Sequence, residues 1–172
     1  TRLALLAGKH DVATENLQEL QAMAREALFS IRLLIFELHP PILEGQGLAA
    51  ALQIRLAAVE ARAGLQTEMR VDGGRRLSLA IEEELYRIAL EALNNVVKHA
   101  RAQHVTVDLR FDDQRVSLAI ADNGQGYDPA VAKGSGGMGL RGMEERAQRI
   151  NGKLELTGAL GEGTTVKVEV PL

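Results

Sequence analysis

The sequence predicts an α+β domain preceded by one long helix, and three observations support this fold class. Apolar residues recur at alternating spacings of three and four between residues 12 and 38. From Leu65 onward, segments with strand-like alternation are interleaved with segments of helical periodicity. Seven of the 17 glycines lie between Gly124 and Gly142, although glycine buries little core and costs entropy to order. We therefore expect this glycine-rich segment to serve a ligand.

The composition excludes several classes of protein. The 172 residues suffice for one domain with an appendage, and the lack of cysteine excludes disulfides and thiolate metal sites. A net charge of −3 gives no reason to expect a nucleic-acid partner. No run of about 18 apolar residues is present, so no membrane segment is expected. The chain starts at Thr1 in the middle of a pattern, so we expect it to be part of a longer protein. A cytoplasmic location is expected for this part, either in a soluble protein or as the cytoplasmic part of a membrane-bound sensor.

The first predicted helix covers residues 12–38 and ends at His39-Pro40-Pro41, because proline cannot continue a helix and disfavours helical backbone in the residue before it. Met23, Leu28 and Ile35 widen its apolar heptad seam enough for the helix to pack against two neighbours in a bundle. The seam consists of Leu17, Leu20, Ala24, Ala27, Ile31, Leu34 and Leu38. A linker is predicted at residues 41–47, and a second helix covers residues 48–63 and ends at Gly64.

The remainder of the chain predicts strands paired in hairpins and two further helices. Strand-like alternation occurs at residues 65–71, 105–111 and 116–121, and the polar turn at 112–114 joins the last two. Residues 79–100 have helical spacing, and so do residues 140–150, which end at Asn151-Gly152. Residues 153–157 and 165–170 predict a final hairpin around the turn at 158–163.

The first candidate site lies on the helix at 79–100. Glu91, Asn95 and Lys98 are spaced by four and three residues, so they are predicted to project from one face, and His99 follows directly. These groups suit Mg²⁺ and phosphate, because Mg²⁺ takes one or two protein oxygens together with phosphate oxygens and water. In isolation the same pattern also fits an exposed helix face with a charge pair. Asn94 is the neighbour most easily mistaken for Asn95.

The second candidate site follows the strand at 116–121, in the run Asp122-Asn123-Gly124-Gln125-Gly126-Tyr127. An aspartate at the end of a buried strand offers a hydrogen-bond acceptor, and two glycines after it let the backbone approach a flat ligand. The same residues also suit a plain hairpin turn, because Asp, Asn and Gly are favoured there. Both interpretations stay open for this segment by itself.

A second glycine loop, residues 134–142, leads into the helix at 140–150. Free N–H groups at a helix N-terminus bind anions, and glycines let phosphate oxygens approach the backbone. A Rossmann fingerprint fits poorly because these glycines do not directly follow a strand, and the Walker-type P-loop pattern is absent from the sequence. The turn at residues 161–165, taken by itself, fits a plain hairpin.

Taken in order, these four segments resemble the nucleotide-binding boxes of the GHKL ATPase superfamily, which gyrase, the Hsp90 chaperone, sensor histidine kinases and MutL share. Residues 91–99 resemble its N box, and residues 122–127, 137–142 and 161–165 its three glycine boxes. The stretch Glu37-Leu38-His39-Pro40-Pro41 is similar to the nitrate-sensor-like and DesK-like histidine kinases. The resemblance implies a Bergerat fold for residues 48–172, a two-layer sandwich with a mixed, mostly antiparallel sheet covered by helices on one face. Residues 1–40 would be the turn and second helix of a dimerisation hairpin.

The resemblance also implies ATP and Mg²⁺ as ligands and a role for each site residue. Asn95 would bind Mg²⁺, Asp122 the exocyclic amine of adenine, and Glu91 and Lys98 would assist catalysis. Gly124, Gly126 and Thr164 would form the adenine pocket. Residues 128–136 would be a short lid, and the phosphates would contact Gly137, Gly139, Leu140, His99 and Arg141.

The activity implied by the resemblance is that of a protein histidine kinase. Its partners would be a second copy, joined through the helix at 12–38, and a response regulator with helix-turn-helix output. We expect the phosphoacceptor outside this chain, because His10 is too close to Pro40 for two helices and a turn between them. His39 and His104 are expected to be structural or exposed. Two alternatives stay open, a serine kinase of the anti-sigma-factor type and a non-catalytic nucleotide-sensing module.

Overall fold

Three α-helices and five strands make up the part of the chain that the structure, a computed structural model, describes, which is residues 41–127 and 138–172. These residues belong to one unit, Pro41–Leu172, and residues 1–40 form another. The predicted helix at 12–38, the predicted lid at 128–136 and Gly137 lie outside the described residues.

The elements alternate along the chain much as the sequence predicts, with ends that differ by one or two residues for most of them. The helices are α1, Pro41–Ala63; α2, Leu79–Asn95; and α3, Met138–Arg149. The strands are β1, Gln66–Asp72; β2, His104–Phe111; β3, Arg115–Asp122; β4, Lys153–Gly158; and β5, Thr164–Pro171.

The strands form one sheet in the order β1-β2-β3-β5-β4. β1 and β2 run parallel, which requires a crossover connection, and α2 lies between them in the chain. The other neighbouring pairs are antiparallel. The predicted α+β fold with a mixed, mostly antiparallel sheet is therefore confirmed.

The core lies between one face of the sheet and the three helices. Alternate residues of β2, Val105, Val107 and Leu109, are buried, and the residues between them are polar and more exposed. β3 and β5 show the same alternation, and Leu85 and Ile88 of α2 are fully buried. Burial of such a side chain contributes about 1.5–3 kcal/mol, so the apolar alternation fixes which face the helices cover.

The segment 41–47, predicted as a linker, is helical and belongs to the same unit as the sheet. α1 starts at Pro41 and bends at Gly47, whose φ of +83° is a conformation that glycine tolerates. Leu43, before the bend, and Leu48, after it, are both buried. Proline fits the first turn of a helix, and burial of Leu43 holds this turn on the core.

One described helix, Ile42–Ala63, is long and apolar enough to pass a test for membrane spans, with a mean hydropathy of 1.2. Helices of protein cores pass the same test. Leu48, Leu52 and Leu56 of this helix are buried against the rest of the unit, and this packing accounts for its apolar composition.

The helix predicted at 79–100 changes its hydrogen-bonding pattern near its end. It is α-helical to Asn95, and residues Val96–Ala100 form a π-helical turn. Arg101 then ends the helix in the left-handed conformation, with φ of +52°. A π-helical turn is wider than an α-helical turn and often occurs at functional sites. The change therefore alters which side chains near the helix end share a face.

Candidate functional site

A cavity of about 310 Å³ opens between the end of α2, the sheet and the start of α3. Its wall is mostly apolar, with a few polar groups, as is usual for sites that bind small molecules. Six residues predicted for the site line it: Asn95, His99, Asp122, Gly126, Leu140 and Thr164. They come from four segments that are up to 69 positions apart in the sequence, Asn95 to Thr164, so the fold brings them together.

Asp122 ends β3 and lies opposite Thr164, the first residue of β5. Its Oδ1 accepts a hydrogen bond from the backbone N–H of Gly124 at 2.8 Å. The carboxylate is thus held by the turn that follows it, in the manner of an Asx turn. The antiparallel pairing of β3 and β5 therefore places the side chains of Asp122 and Thr164 next to each other in the cavity wall.

The first glycine box is a place where backbone segments touch. A Cβ at Gly124 would collide with the carbonyl oxygen of Ala100, and one at Gly126 with that of Ala159. Gly126 also has a φ of +66°, which disfavours other residues. The sequence predicts these glycines as the floor of a ligand pocket. The structure places Gly126 in the cavity wall, whereas Gly124 is buried against the end of α2 and is not among the lining residues.

Asn95 and its neighbour Asn94 have different surroundings. Asn95 lines the cavity, whereas the side-chain oxygen of Asn94 accepts a hydrogen bond of 2.8 Å from Nη2 of Arg55 on α1. His99 lines the cavity as well, but Lys98 is exposed and is not among the lining residues. The lining residues of this helix recur at spacings of one and three between Ala92 and Ala100, as on one helical face, and Glu91 and Lys98 are not among them.

Glu91 lies one turn before Asn95, and its carboxylate packs against Gly139 in the first turn of α3. A Cβ at Gly139 would collide with Oε1 of Glu91, so the glycine makes room for this carboxylate. Negative charge near a helix N-terminus is favourable because the backbone N–H groups there are unpaired. Glu91 is half-buried and is not among the residues that line the cavity.

Arg141 is exposed at the start of α3 and pairs with Glu145 one turn later, with Nε and Oε1 3.0 Å apart. It is not among the lining residues, whereas its neighbour Leu140 is. The rest of the cavity wall, mostly apolar, consists of residues for which the sequence predicted no role. These are Ala92, Val96, Ala100, Ile120, Gln125, Tyr127, Met143, Leu156 and Val166.

Two of these additional residues could have been found from the sequence, since Gln125 and Tyr127 belong to the first glycine box. The Tyr127 hydroxyl donates to the carbonyl oxygen of Leu156 at 3.1 Å, and its ring packs on Gly158. The others are core residues of strands and helices, and their sequence signal is ordinary apolar periodicity. Among residues 41–127 and 138–172, no three His, Cys, Asp or Glu side chains are grouped to hold a metal ion.

The chain belongs to the family of histidine kinase-, DNA gyrase B- and HSP90-like ATPases, whose model matches residues 80–172. The predicted membership of the GHKL superfamily is thereby confirmed. Membership of an ATPase family also supports ATP binding by this chain.

Curated relatives are named as sensor histidine kinases. An uncharacterized sensor-like histidine kinase of Chloroflexus aurantiacus is 34% identical over 93% of this chain and 28% of its own length. The sensor histidine kinase LiaS of Bacillus subtilis is 34% identical over 94% of this chain and 44% of its own length. This chain therefore spans less than half of each of these two relatives.

Solved structures with the same fold include the histidine kinase domain of a blue-light activated histidine kinase from Erythrobacter litoralis. The two structures superpose with a TM-score of 0.61 at 22% sequence identity, and the match covers 73% of this chain and 61% of the Erythrobacter chain. At this identity the similarity supports the fold alone and assigns no role to individual residues.

Proposed function

We propose that this chain is the ATP-binding and catalytic unit of a two-component sensor histidine kinase. The observation that carries the proposal is that Asn95 and Asp122 line one cavity in a chain of this ATPase family. Asn95 offers an amide oxygen to Mg²⁺, and Asp122 offers a carboxylate to the adenine base. The distance between the two motifs along the chain is bridged by the packing of α2 on the sheet.

The adenine of ATP is proposed to lie on the apolar wall near Asp122. Oδ1 of this carboxylate already accepts from Gly124, so we assign Oδ2 to the exocyclic amine of adenine. Thr164, opposite Asp122 in the sheet, completes this end of the pocket through its hydroxyl or a bound water. A carboxylate accepts from an amine but repels a carbonyl oxygen, so this pocket selects adenine over guanine.

The phosphates are proposed to extend toward Asn95, His99 and the N-terminus of α3. The ligand atoms at this site fit Mg²⁺, because Asn95 would supply one oxygen and this ion takes its other ligands from phosphate and water. When bound, Mg²⁺ would neutralise phosphate charge. The backbone of Gly139 and Leu140 lies in the first turn of α3, where N–H groups can donate to phosphate. Lys98 and Arg141 are exposed, so their proposed role is charge neutralisation at the rim.

The proposed reaction transfers the γ-phosphoryl group to a histidine from another segment or subunit. An imidazole nitrogen attacks phosphorus in line, the bond to the β,γ-bridging oxygen breaks, and ADP leaves with the electron pair. Glu91 would orient the imidazole or accept its second proton. Its packing on Gly139 fixes this carboxylate beside the start of α3. This chain then supplies mainly positioning and charge neutralisation.

In the parent protein, we propose a homodimer through the helix predicted at residues 12–38 and a cytoplasmic location for this unit. The phosphohistidine would pass its phosphoryl group to a response regulator. These partners follow from the sensor histidine kinase relatives, together with the heptad pattern of the sequence.

Nucleotide binding is tested by titrating the chain with Mg-ATP and following its melting temperature, because a ligand of the folded state raises it. We expect a rise for the unmodified chain and for Asp113→Asn, an exposed carboxylate in the β2–β3 turn. We expect Asp122→Asn to abolish most of the rise. An unshifted melting temperature of the unmodified chain would refute the nucleotide assignment.

Phosphotransfer is tested by adding a separate dimerisation hairpin that carries an acceptor histidine, together with Mg-ATP labelled in the γ-phosphate. Acid-labile label on the hairpin supports the kinase proposal. Acid-stable label would favour a serine kinase, and binding without any transfer would favour a nucleotide-sensing module. We expect Glu91→Gln to slow the transfer without weakening Mg-ATP binding.

A further inference from the structure

The end of α2 leaves backbone carbonyl groups that the helix itself does not satisfy. The π-helical turn Val96–Ala100 is followed by Arg101 in the left-handed conformation, so the carbonyls of His99 and Ala100 lie at the helix end. Terminal carbonyls need partners from elsewhere, such as caps, water or side chains. A π-helical turn is less common than an α-helical turn and needs support from its surroundings.

Gln125, between the two glycines of the first box, supplies partners for both carbonyls. Its backbone N–H donates to the oxygen of Ala100 at 2.8 Å, and its side-chain Nε2 donates to the oxygen of His99 at 2.8 Å. Its own carbonyl accepts from the N–H of Gly161 at 2.8 Å. One residue thus joins the end of the helix, the glycine box and the β4–β5 turn, and the first two of these segments line the cavity.

Gly124, the neighbour of Gln125, lets the glycine box pack directly on the helix end. Gly124 packs on the carbonyl oxygen of Ala100 so tightly that no side chain fits between them. The backbone bond from Gln125 to Ala100 is therefore reinforced by packing, whereas the bond to His99 depends on the side-chain amide alone. That side chain is exposed, so its substitution leaves the buried core intact.

Side chains on one face of the helix end line the cavity. Asn95, Val96, His99 and Ala100 do so, and Lys98 does not. We propose that the Gln125 side chain is a positioning residue, which caps the π-helical turn and thereby holds Asn95 and His99 toward the bound nucleotide. This inference rests on the proposed nucleotide site for its effect on binding, but the effect on the helix end is independent of any ligand.

The test compares three substitutions of Gln125. Gln125→Ala removes the donor, Gln125→Glu keeps the size but places an acceptor against the oxygen of His99, and Gln125→Lys restores a donor. The control is Gln114→Ala in the β2–β3 turn, an exposed glutamine that makes two hydrogen bonds through its backbone. The first readout is the NMR spectrum of the Asn95 side-chain amide and the His99 imidazole without nucleotide. The second is the Kd for Mg-ATP.

We expect the Asn95 and His99 signals to shift in the Ala and Glu variants, to return toward their original positions in Gln125→Lys, and to stay in place in Gln114→Ala. We expect Mg-ATP to bind about three- to tenfold more weakly to the Ala and Glu variants, as loss of one ordinary hydrogen bond predicts. Signals that do not move would overturn the proposal, and so would moved signals with an unchanged Kd or a Lys variant no better than Ala. If the unmodified chain binds no Mg-ATP, the nucleotide proposal fails, and the spectra still decide whether Gln125 positions the two residues.

Discussion

The guanidinium of Arg76 and the carboxylate of Glu82 form an ion pair, with Nε and Oε1 3.2 Å apart, although Glu82 is only 1% exposed. Arg76 also donates from Nη2 to the carbonyl oxygen of Leu43 at 2.8 Å, just before the bend of α1 at Gly47. Oε1 of Glu82 accepts from the backbone N–H of Leu77 at 3.3 Å. The pair thus connects the loop before α2 to the first turn of α1.

This pair leads to a first prediction, which concerns stability. Glu82 is buried but the Arg76 side chain is 52% exposed, so Arg76→Ala removes one solvent-accessible partner of a buried carboxylate, and we expect a loss of about 1–3 kcal/mol in the free energy of unfolding. Arg75→Ala, an exposed neighbour with the same change in charge, is expected to cost under about 0.5 kcal/mol. Urea unfolding measures both.

The double variant Arg76→Met with Glu82→Leu removes both charges, and we expect it to recover most of the lost stability because apolar replacements of buried pairs are often neutral. Since Glu82 lies more than three turns before Asn95 on α2, Mg-ATP binding should be unchanged in this double variant. Equal stabilities of Arg76→Ala and Arg75→Ala would show that the buried pair contributes nothing.

A second prediction separates the two adjacent asparagines of α2. Asn95→Ala should weaken Mg-ATP binding about tenfold or more, because it removes an oxygen from a charged site. Asn94→Ala should leave that binding unchanged and lower the free energy of unfolding by about 0.5–1.5 kcal/mol, since it loses the bond to Arg55. Calorimetric titration and urea unfolding give the two quantities. A stronger binding defect in Asn94→Ala would reverse the assignment.

The third prediction compares two glycines with left-handed backbone. Gly126 has a φ of +66° and no space for a Cβ, whereas Gly161 has a φ of +81° and open space around it. Gly161→Ala should therefore cost about 1–2 kcal/mol for backbone conformation alone. Gly126→Ala should cost more and should also impair Mg-ATP binding, because the Ala159 segment has to move. Similar unfolding midpoints for the two variants would contradict the predicted collision.

The fourth prediction concerns acid stability. The backbone N–H of Gln114 hydrogen-bonds to the Asp112 carboxylate and, with the N–H and charge of Arg115, lowers the pKa of Asp112 below its ordinary value. A pKa that is lower in the folded state contributes stability above the unfolded pKa, which is lost as the pH falls through the folded value. We expect this loss below about pH 4. Asp112→Asn, which keeps the acceptor oxygen, should flatten this part of the stability profile between pH 5 and 2, measured by urea unfolding; an unchanged acid slope would exclude this contribution.

Much of the fold could be predicted from the sequence, because the spacing of apolar residues within a short segment indicates which of them are buried. The alternation at 105–111 and 116–121 and the helical spacing at 79–93 place the same residues inward that the structure buries. The segment 41–47 was harder, because two prolines and two glycines nearby indicate a linker. Two interactions hold this segment as a helix, the burial of Leu43 in the core and the hydrogen bond from Arg76. The groups that supply both interactions are distant in the chain.

Six residues that line the cavity were also singled out in the sequence, and for a related reason. Motifs such as Asp122 to Gly126 are contiguous, so their chemistry is visible in the sequence. The π-helical turn at the end of this helix could not be predicted, because it has no clear sequence signal and its partner Gln125 is 26 residues from His99. The contact between Gly139 and Glu91 likewise joins two helices that are far apart in the sequence.

The sequence by itself therefore determined the class of fold, the family and the order of the nucleotide-binding motifs, because each of these is encoded in short contiguous patterns. The tertiary structure alone decided which neighbour faces the cavity, which glycines make room for another segment, and why a buried glutamate is tolerated. Those outcomes depend on close contacts between distant segments. Such contacts are set by packing and by the need to satisfy buried polar groups, and no local pattern records them.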